Sequence, residues 1–236
     1  MDLPIRDIPA HPGNYGGKRR ASDIRYLVVH YTGNDGDTAE RNARYFQDTV
    51  SRTSAHYFVD DGEIIRSVPD LTVAWAVGGR KYADAGRTGG GTMYGEINNF
   101  NSLSVELCDT RRDGVYQATE LTMARAAALC RWLMERYGIP AGRVYRHFDV
   151  TGKRCPAYLI DAEKWAAFKR RLETDMDNVP SEGHREGVAW AVERGILRGN
   201  GEGDLMLHQA LTREQFCTMA KRTAEWIAEQ LREPGG

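Results

Sequence analysis

Three side chains of metal-binding type, His30, His147 and Cys155, stand where layered α/β folds build sites. His30 lies near the end of the apolar run IRYLVVHYT (24–32), His147 near the end of the shorter VYRHF (144–148), and Cys155 follows in HFDVTGKRCP. Strand ends and the loops after them present side chains at one edge of a sheet. Two imidazoles and a thiolate bind zinc and leave a fourth position for water, while the long gap between the histidines excludes the close ligand pairs of a zinc finger. Spacing alone is a weak signal, because a lone strand histidine is more often a satisfied core residue. Glu106 is the second unusual residue. It sits between Val105 and Leu107 in SLSVELC. A carboxylate inside an apolar strand either faces solvent or serves as a general base with a raised pKa. Lys153, two residues before Cys155, is either a solvated loop lysine or a cation placed to stabilise an oxyanion.

The elements that must position these groups are readable in outline. Residues 24–32 predict a buried strand ended by Gly33-Asn34. Residues 38–47 predict a helix, with Asp37 and Glu40 at capping-box spacing and Ala39, Ala43 and Phe46 on one face. Residues 55–60 and 63–68 flank Asp61-Gly62, a hairpin signal. Seven glycines between 78 and 95 mark a long loop. A strand is expected at 102–108, a long helix at 119–137 ended by Gly138 and Pro140, a short strand at 144–148, and an amphipathic helix at 161–172 carrying Trp165 and Phe168. Mixed strands and helices predict an α/β or α+β layered domain.

The 236 residues are 41% hydrophobic and 28% charged, which excludes collagen-like, disordered and disulfide-scaffold chains. The net charge of -1 conceals a step. Residues 1–172 carry 25 Lys+Arg against 21 Asp+Glu, a net of +4, and residues 173–236 carry 7 against 12, a net of -5. The expected organisation is a domain over 1–172, a polar linker over 173–182, and a helix-loop-helix module over 183–236. The basic residues are scattered, so no nucleic-acid partner is expected. No apolar run is long enough to span a bilayer, and the N-terminus has no signal-peptide core, so synthesis in the cytoplasm is the expectation. Four cysteines make no disulfide framework. Cys108 and Cys130 read as buried small residues, with a bridge between them the alternative.

IRYLVVHYTGN, SAHYFVDDGEI, AWAVGG, NFNSLSVELC and RHFDVTGKRCP occur in this order. Together they resemble the zinc-dependent type 2 N-acetylmuramoyl-L-alanine amidases, whose fold is shared with peptidoglycan-recognition proteins. The resemblance covers roughly residues 5–170, and with the opening IPAHPGNYGGKRR it is nearest to endolysins of phages and prophages of Gram-positive bacteria. It implies a central mixed β-sheet flanked by helices and a bacterial peptidoglycan substrate. It also implies a Zn2+ ion on His30, His147 and Cys155, Glu106 as the catalytic acid and base, and Lys153 beside the oxyanion. His56 matches a recurrent family histidine that is structural or groove-lining, and Trp75, Tyr94 and Asn101 are candidates for the substrate groove. Asp149 either orients a ligand or forms a turn. Ala76 departs from the family, which often carries histidine or another polar residue there.

The stretch EGVAWAVERGIL, GNGEGD, LTREQF resembles a single S-layer homology motif, with Thr212 and Gln215 at capping-box spacing. That resemblance implies binding of a secondary cell-wall polymer through Arg213, or assembly into a homo-oligomer, since one copy buries little core. Two other readings compete with an endolysin released to the wall through a holin pore. A non-catalytic peptidoglycan-binding protein is disfavoured by Cys155, and a cytosolic muropeptide-recycling amidase by the wall-type C-terminal unit.

Overall fold

The computed structural model describes residues 3–173, 180, 182–199, 205–207 and 211–231. The chain forms two compact units, Met1–Thr174 and Asp175–Gly236. In chain order the first contains β1 (Ile5–Asp7), β2 (Tyr15–Lys18), β3 (Tyr26–Tyr31), α1 (Ala39–Asp48), β4 (Tyr57–Val59), β5 (Ile64–Arg66) and β6 (Thr72–Ala74). Then follow α2 (Ala85–Thr88), β7 (Ser102–Leu107), β8 (Thr110–Arg112), β9 (Val115–Gln117), α3 (Glu120–Tyr137), β10 (Val144–Arg146), α4 (His147–Thr151) and α5 (Ala162–Glu173). The second unit contains α6 (Arg185–Glu193) and α7 (Arg213–Gln230). No helix among the described residues is long and apolar enough to cross a membrane.

Six strands form the central sheet in the order β1-β5-β4-β7-β3-β10. Only β4 and β5 pair antiparallel; the other neighbours are parallel, so the sheet is mixed. Side-chain alternation along its central strands decides what each face does. Leu27 and Val29 of β3, with Leu103, Val105 and Leu107 of β7, join the main core under Ala126, Leu129 and Leu133 of α3 and Phe168 and Leu172 of α5. The intervening residues point to the opposite face, where Tyr26 and Val28 pack with Val77, Ile97 and Val150. Glu106 belongs to that face too, directly across from His30 in the β3–β7 ladder. An acid within an apolar strand is thereby explained: Val105 and Leu107 are turned to the core and Glu106 is turned away from it.

Local capping differs from expectation at α1. Thr38, not Asp37, is its N-cap, accepting from the Arg41 amide. Asp37 instead accepts from the side-chain amide of Asn42 and the backbone N–H of Asp109, tying α1 to the end of β7. The hairpin at 57–66 forms, but its turn rests on Asp60, whose Oδ1 accepts from the amides of Gly62 and Glu63. The helix α3 is capped by Thr119 and ends at Gly138 with φ 64°, the left-handed conformation glycine adopts without steric cost. Cys108 and Cys130 are buried free thiols.

The glycine-rich stretch is largely irregular, interrupted by the short α2, and it is fastened to α4 backbone to backbone. Gly91 and Met93 donate to the carbonyls of Phe148 and Asp149, and Tyr82 donates to that of Thr151. The approach requires glycine. A Cβ at Gly90 would lie 2.7 Å from Phe148 Cε2 and 2.8 Å from Gly152 Cα, and one at Gly152, where φ is +85°, would lie 2.5 Å from Ala85 Cβ. Gly90→Ala and Gly152→Ala are each expected to destabilise the protein by about 1–3 kcal/mol, read as a lower denaturant midpoint. An unchanged midpoint would mean that the loop does not dock on α4.

In the second unit, Trp190 and Trp226 meet edge to face at 5.3 Å, and Arg194 lies over both rings. Thr212 and Gln215 form the expected capping box. The expected linker lies largely outside the described residues, as does most of the glycine-rich segment between α6 and α7.

Candidate metal centre and its groove

The three candidate ligands converge from separate elements. His30 is held in β3, buried at 2% exposure. His147 does not close a strand, as the sequence had suggested. It opens α4 immediately after β10, whose Arg146 lies beside Val29 of β3. Cys155 is brought back to the helix by the bond from the Phe148 amide to its carbonyl, and its own amide donates to the carbonyl of Lys153. One ligand atom from each residue lies within 4.8 Å of the others. Cys155 Sγ is 3.8 Å from His30 Nδ1, and the two imidazole rings are 4.6 Å apart. Bonds of about 2.0–2.3 Å to a shared tetrahedral ion require donors roughly 3.3–3.7 Å apart, so side-chain adjustments of about 1 Å suffice.

Electrostatics favour the same use. Burial, followed by the neighbouring His147 and Lys153, holds His30 well below the ordinary imidazole range. Burial and Lys153 lower His147 to about 4. Both rings are therefore neutral at physiological pH, the form that donates a lone pair to a metal. His147 Nδ1 is buried without a hydrogen-bond partner. Burial pushes the Cys155 thiol up, and a bound cation is what would reverse that shift. The donor set and the partnerless buried nitrogen fit zinc.

Glu106 adjoins this cluster. Its Oε1 is 3.8 Å from His30 Nδ1, its side chain keeps 18% exposure, and its Oε2 is buried without a partner. Burial raises its pKa to about 8, Lys153 opposing and Asp37 and Asp109 assisting. A carboxyl that exchanges a proton near neutrality suits general acid–base work. Asp149 forms the turn: it accepts from the Arg146 amide and pairs with the Arg146 guanidinium at 2.6 Å.

Two adjoining hollows flank the centre and share Trp75 as part of their wall. The larger, of about 910 Å³, is lined by His147, Lys153, Arg52, Arg80 and Lys81 among others. The smaller, of about 490 Å³, is lined by Trp75, Tyr94, Phe100 and Asn99 with apolar neighbours. Two candidates for the groove lie elsewhere. Asn101 is buried and closes the turn before β7, donating to the Glu96 carbonyl and accepting from the Asn98 amide. The asparagines in the walls are Asn98 and Asn99, and the Oδ1 of Asn99 also fixes the amides of Ala76 and Val77. His56 is 1% exposed and structural, its Nδ1 accepting from the Ser104 amide and its Nε2 2.8 Å from the Arg19 guanidinium. Arg19 in turn donates to the carbonyls of Asp70, Asn99, Phe100 and Ser102, bracing the groove wall from behind. Arg52, Arg80 and Lys81 carry no motif, and in the sequence they look like ordinary solvated cations. Arg213 is exposed at the start of α7, and the hollow of the second unit is lined instead by Arg198, Arg222, Glu214, Gln215 and Thr218 with apolar residues.

Burial and the Arg19 charge lower His56 to about 3. The unfolded chain then binds a proton at His56 near pH 6.5 that the folded chain refuses until about pH 3. Stability contributed by the neutral ring is present above pH 6.5 and falls by about 1.4 kcal/mol per pH unit as pH drops through that window. His56→Gln is expected to make the slope of unfolding free energy against pH shallower by one proton between pH 6 and 4, whatever it does to absolute stability. An unaltered slope would contradict a buried neutral ring.

The N-acetylmuramoyl-L-alanine amidase family matches residues 20–158. The chain belongs to that family. BlyA of Bacillus subtilis (strain 168), an N-acetylmuramoyl-L-alanine amidase, is 33% identical over 157 residues, covering 65% of this chain and 42% of BlyA. XlyB of the same strain is 29% identical over 179 residues, covering 75% and 51%. The chain spans about half the length of these relatives. Among solved structures, the catalytic domain of XlyA is 26% identical with a TM-score of 0.56, covering 72% of this chain and 99% of that one. The PlyG catalytic domain is 27% identical with a TM-score of 0.57, covering 76% and 100%. The family match runs from before β3 to beyond α4 and so contains all three candidate ligands and Glu106.

Proposed function

We propose that the first unit is a zinc-dependent peptidoglycan hydrolase. It cleaves the amide between N-acetylmuramic acid and the L-alanine of the stem peptide. The observation that carries this reading is the pairing of His30 and Glu106 across one ladder, beside the donors of His147 and Cys155. His30, His147 and Cys155 would hold the zinc, which when bound would supply Lewis-acid chemistry for hydrolysis. Glu106 removes a proton from that water and returns it to the amine nitrogen of the departing L-alanine. Lys153, exposed in the groove wall, brings a cation to the oxygen on which negative charge develops. Trp75 and Tyr94, in the wall of the neutral hollow, offer aromatic faces to sugar rings.

The biological setting we propose is that of a phage or prophage endolysin acting on the wall after release from the cytoplasm through a holin pore. The second unit, in the same proposal, targets the enzyme to a secondary cell-wall polymer or assembles copies of it. Mass spectrometry of a purified wall digest, with and without chelator, tests the reaction. Intact glycan strands and peptides with free L-alanine amino termini are expected, and only without chelator. Products cut within the glycan or between peptide residues would overturn the reading.

A further inference from the structure

The hollow beside His147 carries more positive charge than amide hydrolysis requires. Arg52, Arg80, Lys81 and Lys153 all line it, and among the described residues its wall contains no aspartate or glutamate. The adjoining hollow, across the shared Trp75, has no charged residue in its described wall. Charge is therefore confined to one side of the cleft. Its placement is also fixed by structure. Arg52 adopts φ +56°, a left-handed conformation that costs a non-glycine residue free energy. It is held there by Asn14, fully buried, whose Oδ1 accepts from the amides of Ser51 and Arg52 while its Nδ2 donates to the carbonyls of Phe46 and Thr49. The stem of Lys81 lies over Gly91, where a Cβ would come within 2.7 Å of Lys81 Cε. A strained backbone beneath one cation and a glycine beneath another pre-position charge that faces no acid of this groove. Such an array awaits an anionic ligand.

Resting on the amidase reading, we infer that Arg52, Arg80 and Lys81 select stem peptides by their free carboxylates, so that amidation of those carboxylates makes a poor substrate. The neutral hollow beyond Trp75 leaves the uncharged sugar to the other side. The ligand chemistry is a peptide carboxylate; a phosphate-bearing wall polymer is the competing anion.

The test uses the full chain carrying Glu106→Gln, so that ligand is not consumed. Two soluble muropeptides, alike except that the peptide carboxylates are free in one and amidated in the other, are titrated by calorimetry. The acidic form is expected to bind roughly threefold to tenfold more tightly for each free carboxylate, with the preference shrinking as salt is raised. The ratio should fall close to one when Arg52→Gln, Arg80→Gln and Lys81→Gln are combined, and persist in Lys164→Gln, an exposed cation on α5. Arg52→Gly should lower the ratio while raising the melting temperature, because glycine adopts the left-handed backbone freely; a purely structural arginine would lower the melting temperature. The kcat/KM ratio of the unaltered enzyme on the same pair gives an independent measure. Equal binding of the two muropeptides overturns the inference and leaves the amidase reading intact, and so does tighter binding of poly(glycerol phosphate) than of the acidic muropeptide. Retained preference in an unaltered chain that cleaves neither muropeptide overturns the amidase reading and leaves the selectivity standing.

Discussion

Glu106→Gln is expected to lower the rate of L-alanine amino-terminus release from purified walls by about 10²–10⁴-fold, while the protein still binds one zinc per chain. The amide occupies the volume of the carboxylate but cannot take a proton from water or give one to the leaving nitrogen. The sheet has little reason to respond, because Glu106 faces away from the main core and its Oε2 has no hydrogen-bond partner to lose. Burial already opposes a charge at this position, so the neutral glutamine should leave the melting temperature unchanged or raise it. Activity and stability then move independently, and elemental analysis separates a lost base from a lost metal. Undiminished release in this variant would remove Glu106 from the mechanism.

Loss of the metal should be at least as severe. Chelation, or Cys155→Ser, is expected to reduce hydrolysis by about 10³-fold or more, as loss of a Lewis acid worth several kcal/mol implies. Here stability should follow activity. Without a cation the site holds a partnerless imidazole nitrogen and a thiol pushed upward by burial. A metal that binds only the folded chain stabilises it by about 4 kcal/mol at a thousandfold excess over Kd. The melting temperature should therefore fall on chelation and recover with added zinc. Because zinc takes the thiolate and the free thiol is protonated at neutral pH, uptake should release a proton, and apparent affinity should rise with pH by about tenfold per unit. Zinc uptake without proton release would show that Cys155 is not a ligand.

What the sequence disclosed of this molecule follows from where physical constraint is local. The strand at Tyr26–Tyr31 was legible because burial on both faces demands an unbroken apolar run, and α3 because its cap, its apolar spacing and Gly138 agree. Glu106 stood out because a single acid in such a run violates the pattern. The resemblance then supplied the ligand set that spacing alone left weak. Other features depend on tertiary partners. Whether His147 closes β10 or opens α4 is settled by the glycine-rich loop docking on the α4 carbonyls, which the sequence of VYRHF does not contain. Thr38 displaces Asp37 as cap because Asp37 is engaged by Asp109, far along the chain. Asn101 and Asn99 are alike in sequence; only the turn at Asn98 decides which one is buried and which faces the groove. The cations Arg52, Arg80 and Lys81 come from two segments, and nothing local predicts that they share a wall.

The order in which the ligands occur along the chain has a consequence for a cell that makes this protein. His30 comes early, but His147 and Cys155 both belong to the last part of the first unit, beside the edge strand β10. A polypeptide cut short before residue 147 offers only His30 of the three donors, and one ending between 147 and 154 offers two imidazoles without the thiol. The donor set is complete only when β10 docks on β3 and the returning segment delivers the thiol. On the proposed reading, a fragment ending earlier would lack the donor set that hydrolysis needs. The proposed activity would thus be timed by the order of the chain itself.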